Sequence, residues 1–155
     1  MGHLASGVDL LYLGYNRDAT LSIRYAPGAW SVIRFNRVKA GFDDFSEAYD
    51  ALGHRYEPRT YDVRLIWGTL GYVVSPRGAA KLLEKVFPLS SDADILLYGQ
   101  NKSVKPYSLD GIINSLLQRG QVMGRCFFPP LVIGPNDHAD SDVVTKRAPA
   151  TGAGP

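Results

Sequence analysis

Short apolar stretches separated by polar residues occupy the first third of the chain, and they predict β-strands. Val8–Gly14 is a mostly apolar stretch that ends in a glycine turn, as expected for a buried strand. Leu21–Tyr25 alternates between apolar and polar residues, as a half-exposed strand does, and Trp30–Phe35 is a candidate hairpin partner for it. Residues 39–60 show little periodicity, so we predict an irregular segment in which Phe45–Leu52 is a candidate short helix.

A strand, a sharp turn and a helix are predicted where the pattern changes near the middle of the chain. Tyr72–Val74 favours a strand. Ser75 then stands at the N-cap position, and Pro76 at the first helical position, where its missing N–H costs nothing. Gly78 in the first turn costs about 1 kcal/mol relative to alanine, which indicates close packing or the approach of a ligand. The face of this helix that we expect to be buried consists of Ala79, Leu82, Leu83 and Val86.

Strands and helices alternate in the remainder of the chain. Asp92–Tyr98 is predicted to be either a helical turn or a strand, and Gly99–Ser108 a loop. A second helix over Ile112–Leu117 precedes a strand over Val122–Phe128. This alternation predicts an α/β layer architecture, with a mixed sheet and flanking helices.

Composition narrows the class of protein without naming a function. The chain has 155 residues, of which 45% are hydrophobic and 21% charged, as is ordinary for a globular domain. A net charge of +2 with scattered basic residues argues against nucleic acid as a partner. We also find neither an apolar stretch long enough to form a transmembrane segment nor a secretory signal, so we expect a cytoplasmic protein. Cys126 is the only cysteine and is predicted to be a buried structural thiol.

Acidic residues near the ends of predicted elements are the candidates for chemistry. Asp92 and Asp94 have the spacing with which sugar-nucleotide enzymes hold Mg²⁺ or Mn²⁺ on diphosphate oxygens, although a solvated turn is the simpler explanation. Asp110 lies at the start of the second helix, where either it or Ser108 would be the N-cap. A carboxylate in that position could also bind sugar hydroxyls or take a proton from an acceptor hydroxyl. These residues alone do not name a reaction.

Four segments occur along the chain in an order that is informative as a set. Asp9–Gly14 reads Asp-x-x-Tyr-Leu-Gly, and Gly68–Leu83 reads Gly-Thr-x-x-Tyr followed by Ser-x-x-Gly-Ala-x-x-Leu-Leu. Pro129–Val132 reads Pro-Pro-Leu-Val, and Ser141–Asp142 is a Ser-Asp pair. This order resembles that of glycosyltransferase family 25, which includes lipooligosaccharide and collagen galactosyltransferases.

The resemblance implies roles for particular residues. The family has a Pro-Ile-Asp-type segment that opens a helix, and Ser108–Asp110 fits it best, with Asp94 as the rival. Asp110 would then be the catalytic carboxylate beside the transferred sugar or the acceptor, and Asp94 the second candidate. The residues that would shape the floor of the substrate pocket are Gly68, Thr69, Gly71 and Tyr72.

The resemblance also implies an activity and a domain organisation. The fold would be similar to the C-terminal part of a GT-A-type glycosyltransferase. The reaction would move a hexose from a nucleotide sugar to a hydroxyl of a glycan, a lipooligosaccharide or a protein, as in lipopolysaccharide biosynthesis. The family enzymes are expected to use Mn²⁺ or Mg²⁺, for which we assign no metal motif in this chain. Residues 1–147 would form a partial domain that lacks the donor-binding half, and residues 148–155 a flexible tail.

Two further expectations follow from a partial domain. The chain by itself should be inactive or nearly so, and its exposed sheet edges should be covered by a partner chain or by another copy of itself. The alternative function is that of a non-catalytic module, built on the same fold, that binds carbohydrate or protein without nucleotide sugar or metal.

Overall fold

The computed structural model describes residues 7–16, 20–34, 57–87, 94–106 and 108–132. Within these ranges the backbone forms eight strands and two helices. In chain order they are β1 (Leu10–Gly14), β2 (Thr20–Ala26), β3 (Ala29–Arg34), β4 (Arg59–Leu65), β5 (Gly71–Val74), α1 (Pro76–Val86), β6 (Ile95–Leu97), β7 (Lys102–Val104), α2 (Leu109–Gln118) and β8 (Gly124–Phe128).

Six of the strands form one mixed sheet in the order β3-β2-β4-β8-β1-β5. All neighbouring strands are antiparallel except β1 and β8, which are parallel. The predicted hairpin is confirmed, since β2 pairs with β3 across a turn in which Gly28 has a φ of +74°. The predicted α/β class with a mixed sheet and flanking helices is therefore confirmed.

The register of the strands gives the sheet two different faces. Tyr61, Cys126 and Tyr12 are paired in one row and belong to the hydrophobic core that also contains the buried side of α2. We call this the helix-side face. Asp62 and Arg125 are paired in the next row, and because successive residues of a strand point to opposite faces, they lie on the other side, the outer face.

The start of α1 agrees with the sequence, but its buried face does not. The Ser75 Oγ accepts a hydrogen bond from Gly78 N at 3.0 Å, and Pro76 occupies the first turn. The buried positions of α1 are Gly78 and Val86, whereas Leu83 is 69% exposed, so the predicted face was wrong in part. Gly78 packs directly on the backbone of the residue before β1, since a Cβ on it would collide with the carbonyl oxygen of Asp9, and the buried side of α1 is therefore the side that carries Gly78.

A second, two-stranded sheet replaces part of the loop predicted over residues 99–108. β6 pairs with β7 through a turn that contains Asn101 and Gly99, both at positive φ. The side-chain amide of Gln118 holds this hairpin on α2, because it accepts from Leu96 N at 2.9 Å and donates to Leu96 O at 3.0 Å. Three-residue strands are too short to give a hydrophobic pattern, which is why the sequence did not indicate β7.

Several predictions lie outside the described residues. These are the helix at 45–52, Asp92, the Ser141–Asp142 pair and the tail at 148–155. Neither of the two described helices has the length and apolar character that crossing a bilayer requires.

Candidate functional site

Asp110 is held at the first turn of α2 and faces the segment that follows β4. Ser108 is the N-cap, with its Oγ accepting from Gly111 N at 3.2 Å, so Asp110 lies inside the helix instead of capping it. One oxygen of Asp110, Oδ2, accepts a hydrogen bond from Gly68 N at 2.9 Å. Two of the residues singled out in the sequence, Asp110 and Gly68, are therefore in direct contact.

Asn114, one turn further along α2, holds the same segment at a second point. Its Oδ1 accepts from Ile66 N at 2.9 Å, and its Nδ2 donates to Ile66 O at 2.8 Å. Asn114 is completely buried, so both bonds are shielded from water. The segment from Ile66 to Gly68 is thus fixed on α2 by two polar side chains spaced four residues apart.

The segment from Ile66 to Gly68 also contacts the end of β1, and we call these residues, together with Asp110 and Asn114, the Asp110 cluster. Asn16 N donates to Trp67 O at 2.7 Å, and a Cβ on Gly68 would lie 2.6 Å from Asn16 Cγ. Gly68 also has a φ of +79°, which L side chains rarely adopt. Both constraints require glycine at position 68, whereas a Cβ on Gly71 would meet only ordinary contacts at 3.7 Å or more.

Two tyrosines complete the cluster on the helix-side face. The ring centroids of Tyr12 and Tyr72 are 6.3 Å apart, with the rings tilted by 44°. Tyr12 is buried, and burial, with a smaller contribution from the charge of Asp110, raises the pKa of its phenol well above the ordinary value. Tyr12 therefore stays protonated and can donate a hydrogen bond. Tyr72 and Thr69 are exposed.

The segment after β8 packs against the end of β1, at Leu13 and Gly14. Leu131 N and Val132 N both donate to Leu13 O, at 2.8 and 3.0 Å. A Cβ on Gly14 would lie 2.5 Å from Val132 O. The described motifs singled out in the sequence thus contact one another, although they are far apart along the chain.

No protein-family model, no curated protein and no solved structure matches this chain.

Asp94, the second candidate carboxylate, lies elsewhere on the surface. It precedes β6, its side chain is 60% exposed, and it forms an ion pair with Lys105 at 3.0 Å. Its neighbour in the proposed metal motif, Asp92, falls outside the described residues. In the part of the chain that the structure describes, no three His, Cys, Asp or Glu side chains come together as a metal site. We accordingly assign no described residue to Mn²⁺ or Mg²⁺.

Asp9 forms a second polar centre, at the other end of β1. Its carboxylate is completely buried and accepts three hydrogen bonds, from Arg77 Nε at 2.8 Å, Lys81 Nζ at 2.7 Å and Met123 N at 2.8 Å. Burial acts to raise the pKa of this carboxyl, but the three donors together outweigh burial and leave the pKa below its ordinary value of 3.8. Asp9 is therefore a charged structural link between β1, α1 and the start of β8.

Two residues of the site around Asp110, namely Asn114 and Asn16, were not among the candidates from the sequence. Asn114 had a signal, because it is a polar residue in the middle of the apolar stretch from Ile112 to Leu117. A buried amide in a helix needs a partner, so this position predicts a contact of some kind. Asn16 had no comparable signal, since it follows β1 in a polar stretch like many surface residues.

Proposed function

We propose that this chain carries the acceptor side of a glycosyltransferase-like site, in which Asp110 takes part in moving a hexose from a nucleotide sugar to a hydroxyl group. The observation that supports this most directly is the 2.9 Å hydrogen bond from Gly68 N to Asp110 Oδ2. It joins two segments, 42 positions apart, that resemble the substrate-pocket and carboxylate motifs of glycosyltransferase family 25. A GT-A-type architecture, and a glycan, lipooligosaccharide or protein as acceptor, belong to the same proposal.

The geometry of Asp110 suits a carboxylate that receives a proton. Its bond to Gly68 occupies Oδ2 and fixes the side chain, while Oδ1 has no hydrogen-bond partner among the described residues. In the proposed reaction the acceptor oxygen forms a bond to the anomeric carbon of the hexose. The bond from that carbon to the nucleoside diphosphate breaks, and the proton of the acceptor hydroxyl passes to Oδ1 of Asp110. The protonated phenol of Tyr12 is available in the same cluster as a hydrogen-bond donor.

Thermal shift with UDP-galactose and UDP-glucose tests the proposal, because a ligand that binds the folded state raises Tm. We expect a Tm increase that is larger with Mn²⁺ than with a chelator, and smaller in D110N. Asn can still accept from Gly68 N, so D110N removes the charge without removing that bond. D94N is the matched control, since Asp94 is exposed and paired with Lys105. A Tm response to nucleotide sugars that is equal in D110N and D94N would contradict the proposal. Because the donor-binding half is expected to be missing, the absence of any response by the chain alone leaves the decision to the transfer measurement that follows.

Hexose transfer to a glycan acceptor is the second measurement. Any transfer that the chain performs, alone or with a partner chain, should fall by about 100-fold or more in D110N, as for the loss of a general base, and stay unchanged in D94N. Transfer that survives in D110N would remove Asp110 from the mechanism.

One observation favours the alternative, a non-catalytic carbohydrate- or protein-interaction module. Asp110 and Asn114 both bind the backbone of the segment after β4, and this structural role explains the two side chains without any reaction. The alternative predicts that a glycan or protein partner raises Tm without nucleotide sugar and without Mn²⁺. The same thermal-shift screen therefore separates the two functions.

A further inference from the structure

The outer face of the sheet carries a cleft of about 340 Å³ beside the β2–β3 turn. We call it the arginine cleft. Its lining includes Arg24, Tyr25, Thr60, Tyr61, Asp62 and Arg125. Arg24, Asp62 and Arg125 come from three adjacent strands and are paired in register, so their side chains meet in one row across the sheet.

Asp62 holds both arginines in place. Its Oδ1 accepts from Arg125 Nε at 2.8 Å, and its Oδ2 accepts from Arg24 Nη2. The side chain of Asp62 is only 13% exposed, whereas those of Arg24 and Arg125 are 46% and 36% exposed. The carboxylate therefore lies beneath two guanidinium groups that remain open to solvent.

The charges of the cleft do not balance. Two guanidinium groups face one carboxylate, and both oxygens of that carboxylate are already used by the arginines. Each guanidinium has several N–H donors, of which only one is engaged with Asp62. Within the part of the chain that the structure describes, the cleft therefore presents a net positive charge and N–H donors that Asp62 does not engage, on two side chains whose orientation is fixed before any ligand arrives.

We infer that the arginine cleft binds a phosphate group. A phosphate ion or a phosphate ester has at least three terminal oxygens, so it can bind both guanidinium groups at once, and planar guanidinium groups bind phosphate in a bidentate manner. A carboxylate ligand offers less negative charge and fewer oxygens than a phosphate does, so we expect it to bind more weakly. Because Asp62 already orders both arginines, little side-chain entropy is lost on binding. Tyr25, which is 63% exposed, offers an aromatic surface to an organic group attached to the phosphate.

This site is independent of the proposed transferase site. Arg24, Asp62 and Arg125 lie on the outer face, whereas Tyr12 and Cys126 lie on the helix-side face. Of the residues that line the cleft, only Tyr61 belongs to the row of Tyr12 and Cys126. A substitution at Asp110 should leave phosphate binding unchanged. Failure of one proposal is therefore distinguishable from failure of the other.

Calorimetric titration of the full chain with inorganic phosphate, phenyl phosphate and acetate tests the inference. We expect one saturable site for phosphate, binding at least about tenfold tighter than acetate. R24Q and R125Q should each weaken phosphate binding by about tenfold or more, since each makes the cleft neutral. Tighter binding of phenyl phosphate than of inorganic phosphate would identify a phosphate ester as the ligand, and equal binding would identify the free ion.

R59Q is the matched control, because Arg59 is exposed on the same strand as Asp62 but does not line the cleft. It removes one positive charge from β4 and should change the affinity by less than about twofold, because Arg59 lies outside the cleft lining and an exposed charge is screened by salt. The inference is overturned if phosphate does not saturate below about 10 mM, or if R59Q weakens binding as much as R24Q. It is also overturned if acetate binds as tightly as phosphate.

Discussion

The carboxylate of Asp9 has three donors on two oxygens and no exposure to water. Two of those donors, Arg77 and Lys81, belong to the first turns of α1, and the third is Met123 N, next to β8. A buried charge is costly unless it is paired in this way. One residue therefore fixes the position of α1 against the ends of two neighbouring strands, β1 and β8.

The stability of the chain should depend on pH through Asp9. Because the folded-state pKa is lower than the ordinary value of 3.8, the charged carboxylate contributes stability above that pH, and the contribution is lost as pH falls through the folded-state pKa. Asn in place of Asp9 has one acceptor oxygen for three donors. We expect D9N to cost about 2 kcal/mol at neutral pH and to make stability less sensitive to acid.

Urea unfolding of D9N and of the wild type, at neutral pH and below pH 4, measures this effect. E84Q is the control, since Glu84 is exposed and its one ion pair among the described residues is with Lys85. It should change the free energy of unfolding by less than about 0.5 kcal/mol. Equal acid sensitivity of D9N and the wild type would contradict the role given to Asp9.

Gly78 allows the approach that makes the Asp9 contacts possible. Alanine normally stabilises a helix relative to glycine by about 1 kcal/mol. At position 78, however, its Cβ would collide with the carbonyl oxygen of Asp9 and lie 2.8 Å from the carbonyl carbon, both backbone atoms. We expect G78A to lower the free energy of unfolding by about 2 kcal/mol in denaturant titrations. G71A, which meets only ordinary contacts, should change it little.

On the scale of one element, α2 binds the backbone at three positions of other segments through a single row of polar side chains. Asp110, Asn114 and Gln118 recur every four residues, and they bind Gly68, Ile66 and Leu96 respectively. Side chains four residues apart lie above one another on a helix, so the row forms one continuous stripe. The neighbouring stripe is apolar and belongs to the core.

The two amides in this row make the same pair of hydrogen bonds in different surroundings. Asn114 is buried and Gln118 is half-buried. N114A would leave both Ile66 N and Ile66 O buried without their partner, at a cost of about 3 kcal/mol, whereas water can replace the amide in Q118A, at a cost of under about 1 kcal/mol. Hydrogen exchange at the Ile66 and Gly68 amides should accelerate in N114A only. Equal costs for the two variants would show that burial does not decide the strength of these bonds.

The elements could be predicted from the sequence where the signal is local. The Ser75 cap and the β2–β3 hairpin depend on adjacent residues, and both were confirmed. The strand partners of β8 could not be predicted, because its pairing with β1 joins Leu10 to Gly124 across more than a hundred residues. Arg24, Asp62 and Arg125 meet only because of the register between three strands that are distant along the chain, so no local sequence pattern indicates that they meet. In the candidate site, Asp110 and Gly68 were found from motifs, but their contact needs the tertiary fold.

At the scale of the whole molecule, β3 and β5 are the edge strands of the sheet, because each is paired on one side only within the described residues. On β5, Tyr72 and Val73 are 41% and 39% exposed. Such edges are where another chain can add a strand. Coverage by a partner chain or by another copy stays a prediction.

Cys126 offers a measure of how the whole sheet opens. It lies in β8, is completely buried, and burial raises the pKa of its thiol to about 12. We expect Ellman's reagent at pH 8 to label the native chain only as fast as β8 becomes exposed, and to label the urea-unfolded chain at once. Since Cys126 is the only thiol, the label reports one site. Rapid stoichiometric labelling of the native chain would contradict the burial of this strand.

The position of β8 also has a consequence for the order in which the chain assembles. Among the described strands, β8 alone joins β3, β2 and β4 to β1 and β5 within the sheet. Pairings between residues so distant along the chain form slowly, and β8 is synthesised after all the strands that it connects. Until it arrives, β4 and β1 each present an unpaired edge. We therefore expect the chain to be open to association with other chains at these two edges from the synthesis of β4 until that of β8.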